Sequence, residues 1–161
     1  MGLAQDLLQQ ANHLAIYEGG NHSQAALRRS VSTAYYALFH LLAEDSGQRW
    51  RGSNAAVTGL ERAMNHGPMK TTSIQFANPT WRDWHDTVSA VPPALQSVSG
   101  AFVKLQEERH AADYDNHEEW TTTDVKAVLD TAATAFQDWL SIRSHPMAGN
   151  YLLSILLGKQ R

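Results

Sequence analysis

A chain of 161 residues with 43% hydrophobic residues can fill one core of ordinary size and has no linker long enough to separate two, so a single domain over residues 1–161 is expected. Sixteen acidic against thirteen basic residues leave a net charge of -3, which excludes the broad basic surface behind non-specific nucleic-acid binding. The absence of cysteine excludes disulfides, thiolate catalysis and cysteine-based zinc sites, and fits a reducing compartment. Nine of the thirteen cations are arginine, a bias suited to directed, bidentate contact with phosphate or carboxylate.

Residues 1–6 carry neither a basic stretch followed by an apolar run nor a myristoylation signal, so a cytoplasmic chain is expected. The first helix spans 3–18, with Leu3, Leu7, Ala11 and Leu14 on one face and Gly19-Gly20 at its end. Ser23 caps a second, which runs to about Glu44 with Leu27, Val31, Tyr35, Leu38 and Leu42 in register and Gly47 beyond its end. Its length marks it as central. Residues 54–65 make a shorter helix closed by Gly67-Pro68, and 68–90, without a clean period, read as loop and short turns.

Pro92-Pro93 suits the first turn of the next helix, which runs to Asp115 and carries Leu95, Val98, Phe102 and Leu105. Thr121, with Asp124 three places on, starts another that aligns Val125, Leu129, Ala132, Phe136 and Leu140, and the two form an antiparallel hairpin. After Pro146 the tail, 144–161, holds an apolar segment, 151–157, far short of the ~20 residues needed to cross a bilayer. It docks either in cis or on a second subunit. The fold class is therefore all-α: an antiparallel bundle of five to six helices with its core over 3–143.

Continuing the rhythm of Leu95, Val98, Phe102 and Leu105 lands on Arg109 and then Ala112, so an arginine occupies an apolar stripe. Arginine stays charged and is costly to bury alone, so this position requires a carboxylate, such as Asp113 one turn later, or a phosphate. On the second helix Arg29, Thr33, Tyr36 and His40 share a polar face, either lining a groove or serving as ordinary amphipathic and half-exposed residues. His85, His110 and His117 lack metal-ligand spacing, and the chain has no Walker or dinucleotide fingerprint; neither a metal nor a cofactor is expected.

Two segments together resemble the HEPN family of helical nucleotide-binding domains. Residues 27–40, with Ala34-Tyr35-Tyr36-Ala37 and Phe39-His40, are similar to the family's second helix. Arg109-His110-Ala111-Ala112-Asp113-Tyr114-Asp115 is similar to the Arg-x-x-Ala-Asp-Tyr-Asp string of a prokaryotic branch.

The resemblance implies a homodimer with two motifs around a shared cleft and either RNA or nucleotide binding or metal-independent endoribonuclease activity; the alternative to both is a non-catalytic structural or protein-interaction helical dimer, with Arg109 in an ion pair. Its context is a toxin–antitoxin or defence system with a nucleotidyltransferase-like antitoxin, which in some members modifies a tyrosine, here Tyr114. On it Arg109, His110 and Tyr114 are the catalytic candidates, and Arg29, Tyr36, His40 and Asp113 the substrate-binding ones. One departure stands out: the places for the motif histidine hold Tyr114, Asp115 and Asn116, and His117 falls one residue too late. A tyrosine with a pKa near ~10 is a poor general base at neutral pH.

Overall fold

The computed structural model describes residues 2–16, 22–50, 59, 63–84 and 86–158. Among them the chain forms six helices and, apart from one bridge between Asp83 and Asp86, no β-structure. They are α1 (Leu3–Ala15), α2 (Gln24–Arg49), α3 (His66–Ala77), α4 (Pro93–Tyr114), α5 (Thr122–Ile142) and α6 (Pro146–Leu157). None is long and apolar enough to cross a membrane. The chain divides into two compact units, Met1–Leu41 with Lys104–Phe136 and Leu42–Val103 with Gln137–Arg161.

In the first unit α1 buries Ala4, Leu8 and Ala11, while Leu3 stays exposed. The face is thus rotated by one residue from the expected row of Leu3, Leu7, Ala11 and Leu14. Ser23 caps α2 as expected, its Oγ accepting from the Ala26 amide at 3.1 Å. Leu27, Val31, Tyr35 and Leu38 of α2 are all buried, and Ser30 ties the helix to α1 by donating to the Ala11 carbonyl at 2.7 Å. Leu105 and Ala112 of α4 and Val125, Leu129, Ala132 and Phe136 of α5 complete this core.

The segment joining α4 to α5 is fixed from α2. Gln24 donates to the Trp120 carbonyl at 2.7 Å and accepts from the Trp120 amide at 3.0 Å, so one side chain satisfies both backbone groups. Thr121 and Asp124 then form a reciprocal cap at the start of α5. The Asp124 amide donates to Thr121 Oγ1 at 3.2 Å and the Thr121 amide to Asp124 Oδ2 at 2.8 Å. Those contacts, led by the Thr121 side chain, lower the Asp124 pKa below the usual carboxylate value.

In the second unit α2 continues past its expected end near Glu44, through a buried Gly47, to Arg49. Helix α3 lies where loop and turns are expected. Pro68 sits in its first turn, where a missing amide costs nothing, and Asn65 caps it by accepting from Gly67 N at 3.3 Å. Its buried row is Met69, Thr72, Ser73 and Phe76. The two hydroxyls in that row are satisfied: Thr72 donates to the Ser154 carbonyl at 3.5 Å, and Ser73 shares a 2.7 Å bond with the Tyr151 hydroxyl. The expected helix over 54–65 falls largely outside the described residues.

The tail docks in cis. Helix α6 buries Met147, Ala148, Tyr151, Leu152 and Ile155 and packs on α3. Burial drives the Tyr151 phenol up to about 12, against the smaller opposing effects of its bonds with Ser73 and Ser99. On α5 the buried row turns from Phe136 to Trp139, leaving Leu140 49% exposed against expectation. Asp45 of α2 takes the Trp139 indole N–H at 2.6 Å on one oxygen and Arg143 at 3.1 Å on the other. Arg49 caps the end of α5 by donating to the Arg143 carbonyl at 2.9 Å. Its guanidinium lies over Gly149, where a Cβ would come within 2.7 Å of it.

Candidate functional site

Arg109 reaches the position that its helical stripe dictates, with its side chain only 14% exposed. Its guanidinium lies over two rings of α2, with Cζ 5.2 Å from the centroid of Tyr35 and 5.9 Å from that of Tyr36. Tyr35 is fully buried and Tyr36 half-buried, and the rings meet edge to face at 5.3 Å. Cation–π contact on desolvated rings contributes on the order of 1–2 kcal/mol, which offsets part of the cost of withdrawing this charge from water.

The donors of Arg109 are unequally used. Nη1 reaches Asp113 Oδ2, one turn on, at 3.4 Å. Nε is buried and has no hydrogen-bond acceptor. Nη2 has no hydrogen-bond partner among the described residues and is not among the buried unpaired atoms, so it keeps some access to solvent. Asp113 Oδ2 also accepts from Ser32 Oγ at 3.4 Å. Ser32, Tyr35 and Tyr36 on α2 thus face Arg109 and Asp113 on α4.

The end of α4 is held by a second arginine. Arg28 Nη1 donates to the carbonyls of Ala112 at 2.9 Å and Asp115 at 2.7 Å, and its Nη2 donates to the carbonyl of Glu118. The last carbonyls of a helix have no partner within it and carry partial negative charge, so a cation there both bonds and neutralises them. Asp115 Oδ1 then accepts from the His117 amide at 2.9 Å, which turns the chain away.

His110 and Tyr114, each one step further around α4 than Arg109 and Asp113, are exposed and rest against each other with centroids 5.0 Å apart. Tyr114 is 66% exposed. Arg29 is exposed and His40 half-buried against Phe39, at 5.4 Å. Neither makes a hydrogen bond, ion pair or ring contact with Arg109, His110, Asp113 or Tyr114 among the described residues. The cluster therefore unites Arg109, Asp113 and Tyr36 of the expected site, with His110 and Tyr114 beside it, and joins neither Arg29 nor His40 to it by direct contact.

Three members escaped the sequence reading: Arg28, Ser32 and Tyr35. They belong to the row 28, 32 and 35 of α2, one step round from the row of Arg29, Thr33, Tyr36 and His40. The signal was the adjacency of Tyr35 and Tyr36, since two neighbouring rings cannot both belong to a single narrow stripe.

A groove of about 250 Å³ opens between α4 and the start of α5, lined by Lys104, Glu108, Glu118, Trp120, Asp124, Ala127 and Val128. Three carboxylates against one ammonium make it repel polyanions. An anion is thus disfavoured in the groove. Comparison with family models, with curated proteins and with solved structures returns no match.

Proposed function

We propose that Arg109 anchors a phosphate of RNA or of a nucleotide, and that the chain is an HEPN-like helical protein of a toxin–antitoxin or defence system. The supporting observation is the guanidinium itself: it is immobilised on Tyr35 and Tyr36, and Nη2 keeps some access to solvent and has no hydrogen-bond partner among the described residues. A fixed, partly desolvated guanidinium with an open edge suits a phosphate oxygen better than a bulk-exposed one does. Exposed Tyr114 and His110 offer ring surface beside it, on which a base can stack. In this reading two copies of the chain pair so that their Arg109 clusters share a cleft, and a nucleotidyltransferase-like antitoxin is the partner.

Binding ranks above cleavage because Tyr114 stands at one of the places where the resemblance calls for a histidine. Metal-independent endoribonuclease action is the second reading, favoured by His110 next to Arg109. There His110 accepts the ribose 2′-hydroxyl proton as the 2′-oxygen bonds to phosphorus, the 5′-oxygen leaves and takes a proton from water, and Arg109 stabilises the charge gathering on the phosphorus oxygens.

Titration of a fluorescent single-stranded RNA and of mononucleotides tests the first reading. Wild type is expected to bind, and Arg109→Ala to lose about tenfold or more of that affinity. Equal affinity in the two proteins rejects an Arg109 anion site. Incubation with RNA in EDTA tests the second: 2′,3′-cyclic phosphate ends that vanish in Arg109→Ala establish cleavage, and intact RNA with both proteins rejects it.

A further inference from the structure

The partner that Arg109 does have is poorly matched to it. Charge-assisted N–H···O bonds are commonly ~2.7–2.9 Å long, yet Asp113 stands 3.4 Å from Arg109 and 3.4 Å from Ser32, through the same oxygen. Its other oxygen has no hydrogen-bond partner among the described residues. Asp113 is also the more exposed half of the pair. Its side chain is 28% exposed, in the last turn of α4, whereas Arg109 is held on two rings and Ser32 is buried on α2. An exchange of partners at this point therefore moves the carboxylate.

We propose that Asp113 is a displaceable internal counter-ion: its Oδ2 stands where a phosphate oxygen binds, and Ser32 is the second donor of that anion site. This inference rests on the anion-site reading above and sharpens it. An oxygen at the position of Oδ2 is within reach of both Arg109 Nη1 and Ser32 Oγ. A phosphate brings further oxygens and so also engages the open Nη2 edge, which the Asp113 carboxylate leaves unused. Ser32 then donates its hydroxyl proton to the phosphate instead of to Asp113.

Phosphate and Asp113 thus compete for one cation, and the displaced carboxylate, still tethered nearby, repels the bound anion. Asp113 keeps the site closed to weak or singly charged anions and sets the affinity threshold for those that open it. Its expected role as a substrate-binding residue is accordingly reversed. It opposes the ligand, and Ser32 takes its place.

Calorimetric titration with adenosine 5′-monophosphate tests this in wild type, Asp113→Asn, Arg109→Ala and the double variant Asp113→Asn with Ser32→Ala. Asp113→Asn is expected to bind about tenfold or more tighter than wild type, a gain that loss of a merely structural contact does not produce. Ser32→Ala in that background takes back about threefold or more, and Arg109→Ala binds least. Should Asp113→Asn not fold, Asp113→Ser carries the same comparison. Binding by Asp113→Asn that is no tighter than that of wild type overturns the counter-ion role and leaves the anion site standing. No binding by wild type or by either Asp113 variant removes the anion site, and this inference with it.

Discussion

Asp45, in the second unit, receives Trp139 at 2.6 Å on one oxygen and Arg143 at 3.1 Å on the other, whereas Asp113, in the first, lends a single oxygen to Arg109 and Ser32, each at 3.4 Å. Both are aspartates beside an arginine. The first is bonded on each side by groups it fits; the second is loosely held against a cation whose far edge is open. Since a carboxylate offers about four acceptor positions, the degree to which they are used separates a residue that fastens the fold from one able to exchange partners.

Substitution at Asp45 puts this contrast to its hardest test. Asp45→Ala strands the Trp139 indole N–H, in a ring with no exposed surface, and frees Arg143; a loss of about 2–4 kcal/mol is expected in urea denaturation. A loss under ~1 kcal/mol makes the two aspartates alike and removes the distinction.

Tyr151 gives the next largest effect, through pH. Its folded pKa is raised, from 10.0 to about 12, so the folded state holds the proton over a range where the unfolded chain has released it. The stability is therefore fully present below pH ~10 and is lost as pH rises toward ~12, by on the order of 2–3 kcal/mol. Melting temperatures across that range should fall less steeply in Tyr151→Phe than in wild type. Parallel profiles exclude the phenol as the cause.

Arg28→Ala removes the three carbonyl contacts at the end of α4 and is expected to cost about 1–2 kcal/mol, with faster hydrogen exchange concentrated over residues 112–120. A uniform rise across the chain contradicts a local clip. Asp113→Asn should cost least, under ~1 kcal/mol in the same denaturation, because the pair it breaks is long and partly exposed.

The helices with hydrophobic rows were legible because burial and periodicity coincided: Leu27, Val31, Tyr35, Leu38 and Leu42 on α2, and Leu95, Val98, Phe102, Leu105 and Ala112 on α4, are buried as the spacing requires. The same rhythm sets Arg109 against the core. Helix α3 was hidden because Thr72 and Ser73 stand in its buried row, satisfied by Ser154 and Tyr151, groups about 80 residues away that no local window contains. Gly67-Pro68 read as a terminator, while Asn65 ahead of a first-turn proline was the overlooked start. For the site, the string around Arg109 is visible and so is Tyr36, while Arg28, Ser32 and Tyr35 lie one step round from the polar row. A polar row on a helix enclosed on nearly every side does not mark the face that meets the site, since small polar residues such as Ser30 and Ser32 are buried there as readily as apolar ones.

The contacts of Gln24 and Arg28 also bear on the order in which the chain acquires its structure. These two side chains, in the first turns of α2, grip backbone groups that lie 84 to 96 residues later. Contacts of such separation close a long loop, at an entropy cost that rises slowly with its length and weighs on the rate of folding. On a ribosome, α2 emerges long before the carbonyls it will hold. Asp113 and Tyr114 lie within the gripped segment, so the Arg109 cluster is assembled only once residues 112–120 have been synthesised and have docked on α2.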